Sequence, residues 1–479
     1  MTPVTRTEGE ATLADPAGAR GSRDAGSYRD PAGFVYRRDG IIYRQINAVF
    51  AEEWEHYTHS GLYDRLAAAG VVIEHEEVDL DLAAEPPASY VIRPEQLKTI
   101  SYPYEWSFSQ LKDAALLTLE AQALAAAAGM TLRDASAYNI QFRLGRPVLI
   151  DSLSFERTQP GQPWIAYGQF CEHFLAPLAL MARVDVRLGG LMRSHLEGIP
   201  LDLAARLLPG RTRLSFGLGP HLHLHARAQR QHAASGATAV SRASNSMSPA
   251  KLETLIESLR GTIKGLSWEP AGTEWAEYAG NTSYDDDATR AKEDAVAAAL
   301  VEAAGSSAWD LGANTGRYSR IAAERGYSVV ALDIDPAAVE RGYRALRKGS
   351  SVDILPLLAD LTDPSPPLGW GSAERKGLLE RIDTDVILAL ALIHHLAISR
   401  NVPLPMIADL FAGLAPHAIV EWVPKEDSMV QQLLASREDI FPDYSIEGFR
   451  AAFGAHFDIV RETPIENTDR TLFHLKRSA

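Results

Sequence analysis

Short apolar segments alternate with helical segments along the chain from about residue 288 to its end. Residues 386–393 form a continuous apolar run, which is typical of a strand buried on both faces of a parallel sheet. Two further segments, 457–461 and 471–475, are expected to close the sheet as a hairpin. The alternation predicts βαβ units and therefore an α/β fold with a doubly wound parallel sheet. The predicted parallel strands are 308–311, 328–332, 352–358, 386–393 and 418–422.

The N-terminal half begins with the pattern of a β-hairpin. Residues 34–44 place apolar and aromatic residues on both sides of an Asp39-Gly40 turn, a dipeptide that favours tight hairpins. Strands and helices are both predicted after it, so this half is expected to be α+β. The predicted elements are a helix over 48–69, a strand over 71–78, a helix over 107–128 ended by Gly129, and strands over 140–142 and 148–150.

Composition divides the 479 residues into a tail and three structured parts. Residues 1–33 combine many small and charged residues with few large apolar ones, so we expect a disordered tail, with order beginning at Phe34. The structured parts are an α+β region over 34–160, a mostly helical continuation and linker over 161–270, and the α/β domain over 271–479.

Charge and cysteine content indicate which partners and which cellular compartment to expect. The net charge of -15 and the acidic pI disfavour generic binding to nucleic acid, whose phosphates an acidic protein repels. The single cysteine, Cys171, cannot form an intramolecular disulfide, which fits a reducing compartment. No signal peptide pattern and no run of 18 apolar residues is visible, so we expect a cytoplasmic protein without a membrane partner. The oligomeric state is left open.

Three alternating histidines could bind a metal ion if they shared one face of a strand. These residues are His221, His223 and His225, but no carboxylate or cysteine lies close to them in the sequence. Arg227 and Arg230 follow, and their charges would repel a cation. We therefore expect a helical or solvated basic segment here, and no metal site.

A glycine-containing turn follows the first strand of the predicted α/β sheet. The strand runs into Gly312 and Gly316, and the next strand ends in Asp333. Such turns lie at the carboxyl edge of the sheet, where ligands bind, and an acidic residue at the end of the second strand can accept hydrogen bonds from ribose hydroxyls. A nicotinamide cofactor is the rival ligand. Its G-x-G-x-x-G fingerprint fits poorly, because the spacing here is D-x-G-x-x-x-G, beginning at Asp310.

These motifs resemble those of the class I S-adenosylmethionine-dependent methyltransferases over about residues 275–479. The resemblance implies a Rossmann-like sheet with S-adenosyl-L-methionine as the cofactor. It also implies that the methionine moiety lies against the glycine turn, that Asp333 binds the ribose, that Ile334 packs on the adenine, and that the end of the third strand faces the adenine amino group. The implied cofactor-binding residues are Asp310, Gly312, Asn314, Gly316, Asp333, Ile334, Asp360 and Leu361.

The fourth strand ends beside two histidines, His394 and His395. This position borders the substrate in related methyltransferases, so either histidine is a candidate general base. The alternative is that both only shape the pocket or cap the following helix. Further candidates for substrate contact lie in loops around the same edge, where a purely structural role is as plausible for most of them. They are Tyr284, Trp370, Arg375 and Glu421.

The N-terminal half contains a second motif, with Asp134 after an arginine, Asn139 five positions later and Asp151 after an apolar strand. The spacing resembles the catalytic loop and metal-binding aspartate of protein-kinase-like phosphotransferases. In that family the first aspartate orients a hydroxyl and the other two residues hold magnesium. The usual histidine is Leu132 here, and a glycine-rich phosphate loop and a clear lysine are missing. We therefore expect a degenerate kinase-like core around residues 106–155, with chance similarity as the alternative.

The whole chain also resembles a group of bacterial two-part methyltransferases of unassigned substrate, some of which are described as nodulation-related. The resemblance rests on residues 102–106 (YPYEW), a Gly-Trp segment and the His-His-Leu segment. The sequence thus predicts methyl transfer to O or N of a small molecule or natural-product intermediate, with the N-terminal region assisting substrate binding. The alternatives are a kinase-like phosphotransferase with an accessory cofactor domain, and a noncatalytic ligand-binding scaffold.

Overall fold

The computed structural model describes residues 21–235, 247–270, 286–349, 351–435 and 438–478. Order begins earlier than the predicted Phe34, because a short strand pairs with the first hairpin and Asp30 forms an ion pair with Arg133 at 2.5 Å. These contacts correct the predicted tail for residues 21–33. Among the described residues, none of the helices combines the length and the apolar character needed to cross a membrane.

A five-stranded antiparallel sheet forms the first layer of the N-terminal half, with the order β1-β2-β3-β5-β4. The predicted hairpin is confirmed, and its turn is at Asp39-Gly40, where both residues have positive φ. The predicted strand over 71–78 is shorter, because Val72 forms only an isolated bridge to Leu149. The strands are β1 (Ser22–Arg23), β2 (Gly33–Arg38), β3 (Ile41–Asn47), β4 (His75–Val78) and β5 (Ala88–Pro94).

Three helices and two small sheets complete the α+β region. The predicted helix over 48–69 is divided, because Gly61 adopts a left-handed conformation with φ 70°. The long third helix begins after Ser107, whose hydroxyl accepts a hydrogen bond from the Gln110 backbone N–H. The elements are α1 (Ala51–His59), α2 (Leu62–Ala68), α3 (Phe108–Ala127), and the strands β6 (Met130–Leu132), β7 (Ile140–Arg143), β8 (Arg146–Leu149) and β9 (Phe155–Arg157). Strand β6 pairs with β9, and β7 pairs with β8.

The middle of the chain is helical, as the sequence predicts. The three histidines lie in a helical segment, in which His221 hydrogen-bonds Tyr167 and Ser258, and His223 hydrogen-bonds Thr212. The helices are α4 (Tyr167–Phe170), α5 (Ala176–Arg183), α6 (Leu191–Ser194), α7 (Leu201–Leu207), α8 (His225–Ser235) and α9 (Pro249–Gly265).

The C-terminal half contains a seven-stranded sheet with the order β12-β11-β10-β13-β14-β16-β15. Its strands are β10 (Ser307–Leu311), β11 (Ser328–Asp333), β12 (Ile354–Leu358), β13 (Val386–Ala389), β14 (His417–Trp422), β15 (Phe457–Pro464) and β16 (Thr471–Arg477). The first five are parallel, and β16 is antiparallel to both of its neighbours. The predicted doubly wound sheet and terminal hairpin are therefore confirmed. The fourth strand ends earlier than predicted, since Ala391 has a φ of 52° that extended backbone does not allow.

Helices pack on both faces of this sheet. They are α10 (Asp286–Ala303), α11 (Arg317–Ala323), α12 (Pro336–Leu346), α13 (Leu404–Leu414), α14 (Ser428–Leu434) and α15 (Ile446–Gly454). Helix α12 begins after Asp335, whose carboxylate accepts a hydrogen bond from the Ala337 N–H at 2.8 Å. Helix α12 also packs on α3 of the N-terminal half.

The contact between the two halves is buried, and we refer to it as the junction. The Glu340 carboxylate of α12 accepts hydrogen bonds from the Ser109 backbone N–H at 2.8 Å and from its hydroxyl at 2.5 Å. Glu105 forms an ion pair with Arg381 whose two side chains are 4% and 5% exposed. Aromatic rings of both halves meet beside these groups, and a single hydrophobic core continues across the junction.

Candidate functional site

The glycine loop, residues 312–316, connects β10 to α11 at the carboxyl edge of the C-terminal sheet. The backbone N–H groups of Gly312 and Ala313 both donate to the Leu332 carbonyl, which fixes the start of the loop. Three positions need positive φ: Gly312 at 76°, Asn314 at 51° and Gly316 at 82°. Glycine and asparagine are the residues that adopt this conformation at low cost. A Cβ at Gly312 would also lie 3.1 Å from Leu392.

Asp333, at the end of β11, holds the glycine loop in place. Its two carboxylate oxygens accept backbone hydrogen bonds from Asn314 at 2.7 Å and from Asp335 at 2.8 Å. Burial raises the pKa of Asp333 to about 6, even though these hydrogen bonds act in the opposite direction. Each carboxylate oxygen has two lone pairs, so Asp333 retains acceptor capacity for a ligand.

Asp310, at the end of β10, is the second buried carboxylate beside the loop. Asp310 is only 2% exposed, and it accepts a hydrogen bond from the Ser319 hydroxyl at 2.6 Å. Burial raises the pKa of Asp310 to about 6, and the nearby Asp333 charge acts in the same direction. Two carboxyl groups with raised pKa values thus lie next to the same turn, as is common where a site binds a ligand.

A cavity of about 1410 Å³ opens at this edge of the sheet. Seven of the eight predicted cofactor-binding residues line it, and Gly316, which immediately precedes α11, is the exception. Ile334 is 43% exposed in the cavity wall. Another part of the lining comes from the helical middle of the chain, through residues 184–187 and Trp268. The predicted residues in the lining are Asp310, Gly312, Asn314, Asp333, Ile334, Asp360 and Leu361.

The two candidate histidines differ in their positions. His395 lines the cavity, whereas His394 is completely buried and is not among the lining residues. Their rings are 4.1 Å apart between centroids, and neither ring nitrogen of His394 has a hydrogen-bond partner among the described residues. Burial and then the Arg470 charge lower the pKa of His395 to about 4, and burial holds the pKa of His394 well below its ordinary value. Both imidazoles are therefore neutral near pH 7, and only His395 faces the cavity.

A buried network of charged side chains forms the floor beside His395. The Lys292 ammonium donates to Glu421 at 2.6 Å and lies 4.6 Å from the centroid of the Tyr318 ring. Arg470 pairs with Asp427 at 2.8 Å and with Glu421 at 3.5 Å. Burial lowers the pKa of Lys292, and the Glu421 charge opposes this shift. Lys292 and Arg470 line the cavity, while the predicted substrate residue Glu421 lies behind them with no exposed surface.

The other predicted substrate residues lie away from the cavity lining. Trp370 is 78% exposed on the loop between β12 and β13. Arg375 stacks on the Tyr138 ring of the N-terminal half, with its guanidinium 4.5 Å from the ring centroid. Tyr284 lies outside the described residues.

The kinase-like residues of the N-terminal half come together as a hydrogen-bonded group. Asp134 accepts hydrogen bonds from the Gln169 side chain at 2.8 Å and from the Ser136 backbone, and it also bonds Asn139. Asp151 accepts from the Ser154 hydroxyl at 2.7 Å and forms an ion pair with Arg44 of β3. Although burial opposes ionisation, Arg44 and these hydrogen bonds hold the pKa of Asp151 below its ordinary value. Burial and the Asp151 charge raise the pKa of Asp134.

Many lining residues were not predicted from the sequence, among them Asp185, Arg187, Trp268 and Lys292. Asp185 and Arg187 form a two-pronged ion pair, with N–O distances of 2.7 and 2.9 Å, at the start of a short helical turn. Their place in the cavity depends on contacts between distant parts of the chain. Lys292 had a local signal, because it occupies the inward face of α10 together with Val296 and Ala299.

A nodulation protein resembles the chain over almost its full length. The chain is 36% identical over 471 residues to the nodulation protein NoeA of Rhizobium meliloti (strain 1021), and the match covers 96% of this chain and 98% of that protein. No known family profile matches the chain.

Solved structures resemble only part of the chain. The N-methyltransferase NodS from Bradyrhizobium japonicum WM9, in complex with S-adenosylhomocysteine, covers 43% of this chain and 100% of its own, with 11% identity and a TM-score of 0.32. The magnesium protoporphyrin IX methyltransferase ChlM from Synechocystis PCC 6803 covers 43% and 86%, with 18% identity and a TM-score of 0.30. The bifunctional kinase-methyltransferase WbdD covers 45% of each chain, with 15% identity and a TM-score of 0.30.

Proposed function

The chain belongs to the family of the nodulation protein NoeA, and we propose that it is an S-adenosylmethionine-dependent methyltransferase. The proposed reaction transfers a methyl group to an oxygen or nitrogen of a small molecule or natural-product intermediate. The observation that carries this proposal is the cavity at the carboxyl edge of the C-terminal sheet. Residues of the glycine loop, Asp333 and His395 all line it.

The residues of the cavity fit the cofactor. Asp333 has the acceptor capacity for two ribose hydroxyls, and the exposed face of Ile334 suits the adenine ring. Asp310 and Asn314 suit the ammonium group of the methionine moiety, and Asp360 suits the adenine amino group. At about 1410 Å³, the cavity exceeds the roughly 300–1,000 Å³ typical of a site for one small ligand, which leaves room for an acceptor.

When bound, the cofactor supplies a methyl group on a positively charged sulfur, which the acceptor displaces in line. The contribution of this chain is to hold the acceptor and to remove its proton. His395 is neutral near pH 7, so a ring nitrogen is available to accept a proton from an acceptor hydroxyl or amine, while burial and the Arg470 charge disfavour the imidazolium and make it a weaker base than an ordinary histidine. The ion pairs of Lys292 with Glu421 and of Arg470 with Asp427 are buried, and they compensate the charges beside His395.

The helical middle of the chain, which continues the N-terminal half, is proposed to supply one wall of the acceptor site. Residues 184–187 and Trp268 line the same cavity as the sheet edge, and Trp268 offers an aromatic surface. The paired Asp185 and Arg187 offer both an acceptor and several donors to a polar substrate. This arrangement supports the hypothesis that the N-terminal half assists substrate binding.

We propose that the kinase-like core around residues 106–155 does not transfer phosphoryl groups efficiently. The ion pair between Arg44 and Asp151 supports this, because it places a cation against the carboxylate that would hold magnesium. Asp134 likewise already accepts hydrogen bonds from the Gln169 side chain and the Ser136 backbone. A magnesium-bound nucleotide would first have to displace these partners.

Cofactor binding and turnover by the full chain test the proposed function. We expect calorimetry to show binding of S-adenosylhomocysteine and no binding of NAD. We also expect incubation with S-adenosylmethionine and pooled metabolites to yield products that are heavier by one methyl group. Binding of NAD in place of S-adenosylhomocysteine would contradict the proposal. Phosphorylated products formed with ATP and magnesium, and lost in Asp134→Ala, would support the phosphotransferase alternative instead.

A further inference from the structure

A surface of the helical middle region combines exposed apolar side chains with positive charge. We refer to residues 206–230 as the basic apolar face. Within it, the Phe216 and Leu214 side chains are almost completely exposed to solvent, and Leu224 is 63% exposed. Exposed apolar groups that cluster in this way mark an interaction surface more often than isolated ones do.

The exposed side chains belong to one connected piece of structure. The hydroxyl of Thr212 and the His223 ring form a hydrogen bond at 2.8 Å, and the Gly219 N–H donates to the Ser215 carbonyl at 2.9 Å. These bonds hold the loop that carries Leu214 and Phe216 against the helical turns that carry Leu224. Buried Leu218 and Leu222 anchor the same segment in the core, so the exposed side chains are presented from a fixed base.

The charge of the basic apolar face is opposite to that of the whole chain. Residues 206–230 contain five arginines and no aspartate or glutamate, although the net charge of the chain is -15. All five arginine side chains are exposed, and Arg206 pairs with the neighbouring Asp202. The arginines are Arg206, Arg211, Arg213, Arg227 and Arg230.

From these two properties we infer that the basic apolar face docks on an anionic lipid bilayer, in contrast to the sequence-based expectation of no membrane partner. Leucine and phenylalanine side chains insert at the boundary between headgroups and acyl chains, while arginines bind the anionic headgroups. A second copy of the chain is a poorer partner, because a symmetric contact would place arginines against arginines. Nucleic acid is also poorer, because two of the three exposed apolar side chains, Leu214 and Leu224, are aliphatic and cannot stack on bases as Phe216 could.

Vesicle sedimentation with the full chain tests this inference. We expect binding to phosphatidylcholine vesicles that contain phosphatidylglycerol, weak binding to phosphatidylcholine alone, and loss of binding at high salt. The double substitution Leu214→Ser with Phe216→Ser should weaken binding by more than about tenfold. Replacing Arg211 and Arg213 by Gln should weaken it by about fivefold for each charge, since each arginine near an anionic surface contributes about that factor.

Matched control variants distinguish binding through the basic apolar face from nonspecific adsorption to vesicles. Met406→Ser removes an apolar side chain that is 62% exposed elsewhere, and Arg325→Gln removes an exposed positive charge elsewhere. Both should bind vesicles like the unmodified chain, and circular dichroism should be unchanged in all variants. Equal binding by the face variants and the controls would overturn the inference. So would failure to bind anionic vesicles, a dimer that the Leu214/Phe216 variant abolishes, or tighter binding to nucleic acid than to lipid.

Discussion

The pKa of Asp333 predicts that cofactor affinity depends on pH. With a pKa of about 6, nearly all of this carboxyl is ionised at about pH 7.5, but only about a tenth is ionised at about pH 5. If ribose recognition needs the carboxylate, affinity for S-adenosylhomocysteine should fall about tenfold over this interval, or about 1.4 kcal/mol. Asp310, whose pKa is also about 6, should steepen the decrease.

The same pKa shifts act on stability with the opposite sign. A carboxyl group whose pKa is higher in the folded protein than in the unfolded chain binds more protons when folded, between about pH 4 and about pH 6. The contribution of Asp310 and Asp333 to the free energy of unfolding therefore decreases as pH rises through this interval. Acidification should weaken binding while these two groups favour the fold, so loss of affinity near pH 5 would not reflect local melting at the site.

Calorimetry with S-adenosylhomocysteine at several pH values tests this reasoning, using Asp333→Asn as the variant. Asparagine has one acceptor oxygen for the backbone N–H groups of Asn314 and Asp335, and it carries no charge. We expect it to weaken binding at about pH 7.5 by roughly 1–3 kcal/mol and to leave a smaller pH dependence. Asp409→Asn, at an exposed position of α13, is the matched control. A pH-independent affinity, or an unchanged slope in Asp333→Asn, would refute the role assigned to Asp333.

Three further predictions concern catalysis, the junction and the kinase-like core. His395→Ala should lower kcat by roughly 10²–10⁴-fold with cofactor binding retained, because it removes the proposed proton acceptor; near-normal turnover would make His395 a pocket wall. Arg381→Met should lower the free energy of unfolding by about 3–5 kcal/mol in denaturant titrations, because Glu105 would remain buried without its partner; a loss below about 1 kcal/mol would contradict this. Fluorescence titration with a nucleotide and magnesium should show tighter binding to Arg44→Ala than to the unmodified chain, and equal weak binding would show that the Arg44 ion pair is not the obstacle.

The sequence predicted most of the C-terminal sheet and the part of the candidate site that the glycine loop forms. Continuous apolar strands and the turn chemistry of Gly312 and Gly316 are local signals, and they located β10, β11 and the glycine loop. The early end of β13 at Ala389 was not predicted, because apolar residues continue beyond it and only the backbone turn at Ala391 ends the strand. The wall formed by Trp268 had no local signal, since only the packing of distant segments brings it to the sheet edge.

The role of Glu421 could not be predicted from the sequence, for a different reason. Its position at a strand end correctly predicted the carboxyl edge, but its side chain is paired with Lys292 and faces the interior behind the cavity lining. A one-dimensional pattern gives the position of a charged residue along a strand, while the partner that compensates its charge comes from another element. Sequence reasoning therefore found the edge and could not assign the role of every polar side chain on it.

The junction has a thermodynamic consequence for the chain as a whole. Because Ser109 and Glu340 share buried hydrogen bonds and the apolar core continues past them, neither half can open without exposing the other. The two halves should therefore melt in one cooperative transition, with equal calorimetric and van't Hoff enthalpies. Cutting the chain between them would leave a carboxylate and an apolar face without partners on each fragment. The chain is in this sense a single folding unit.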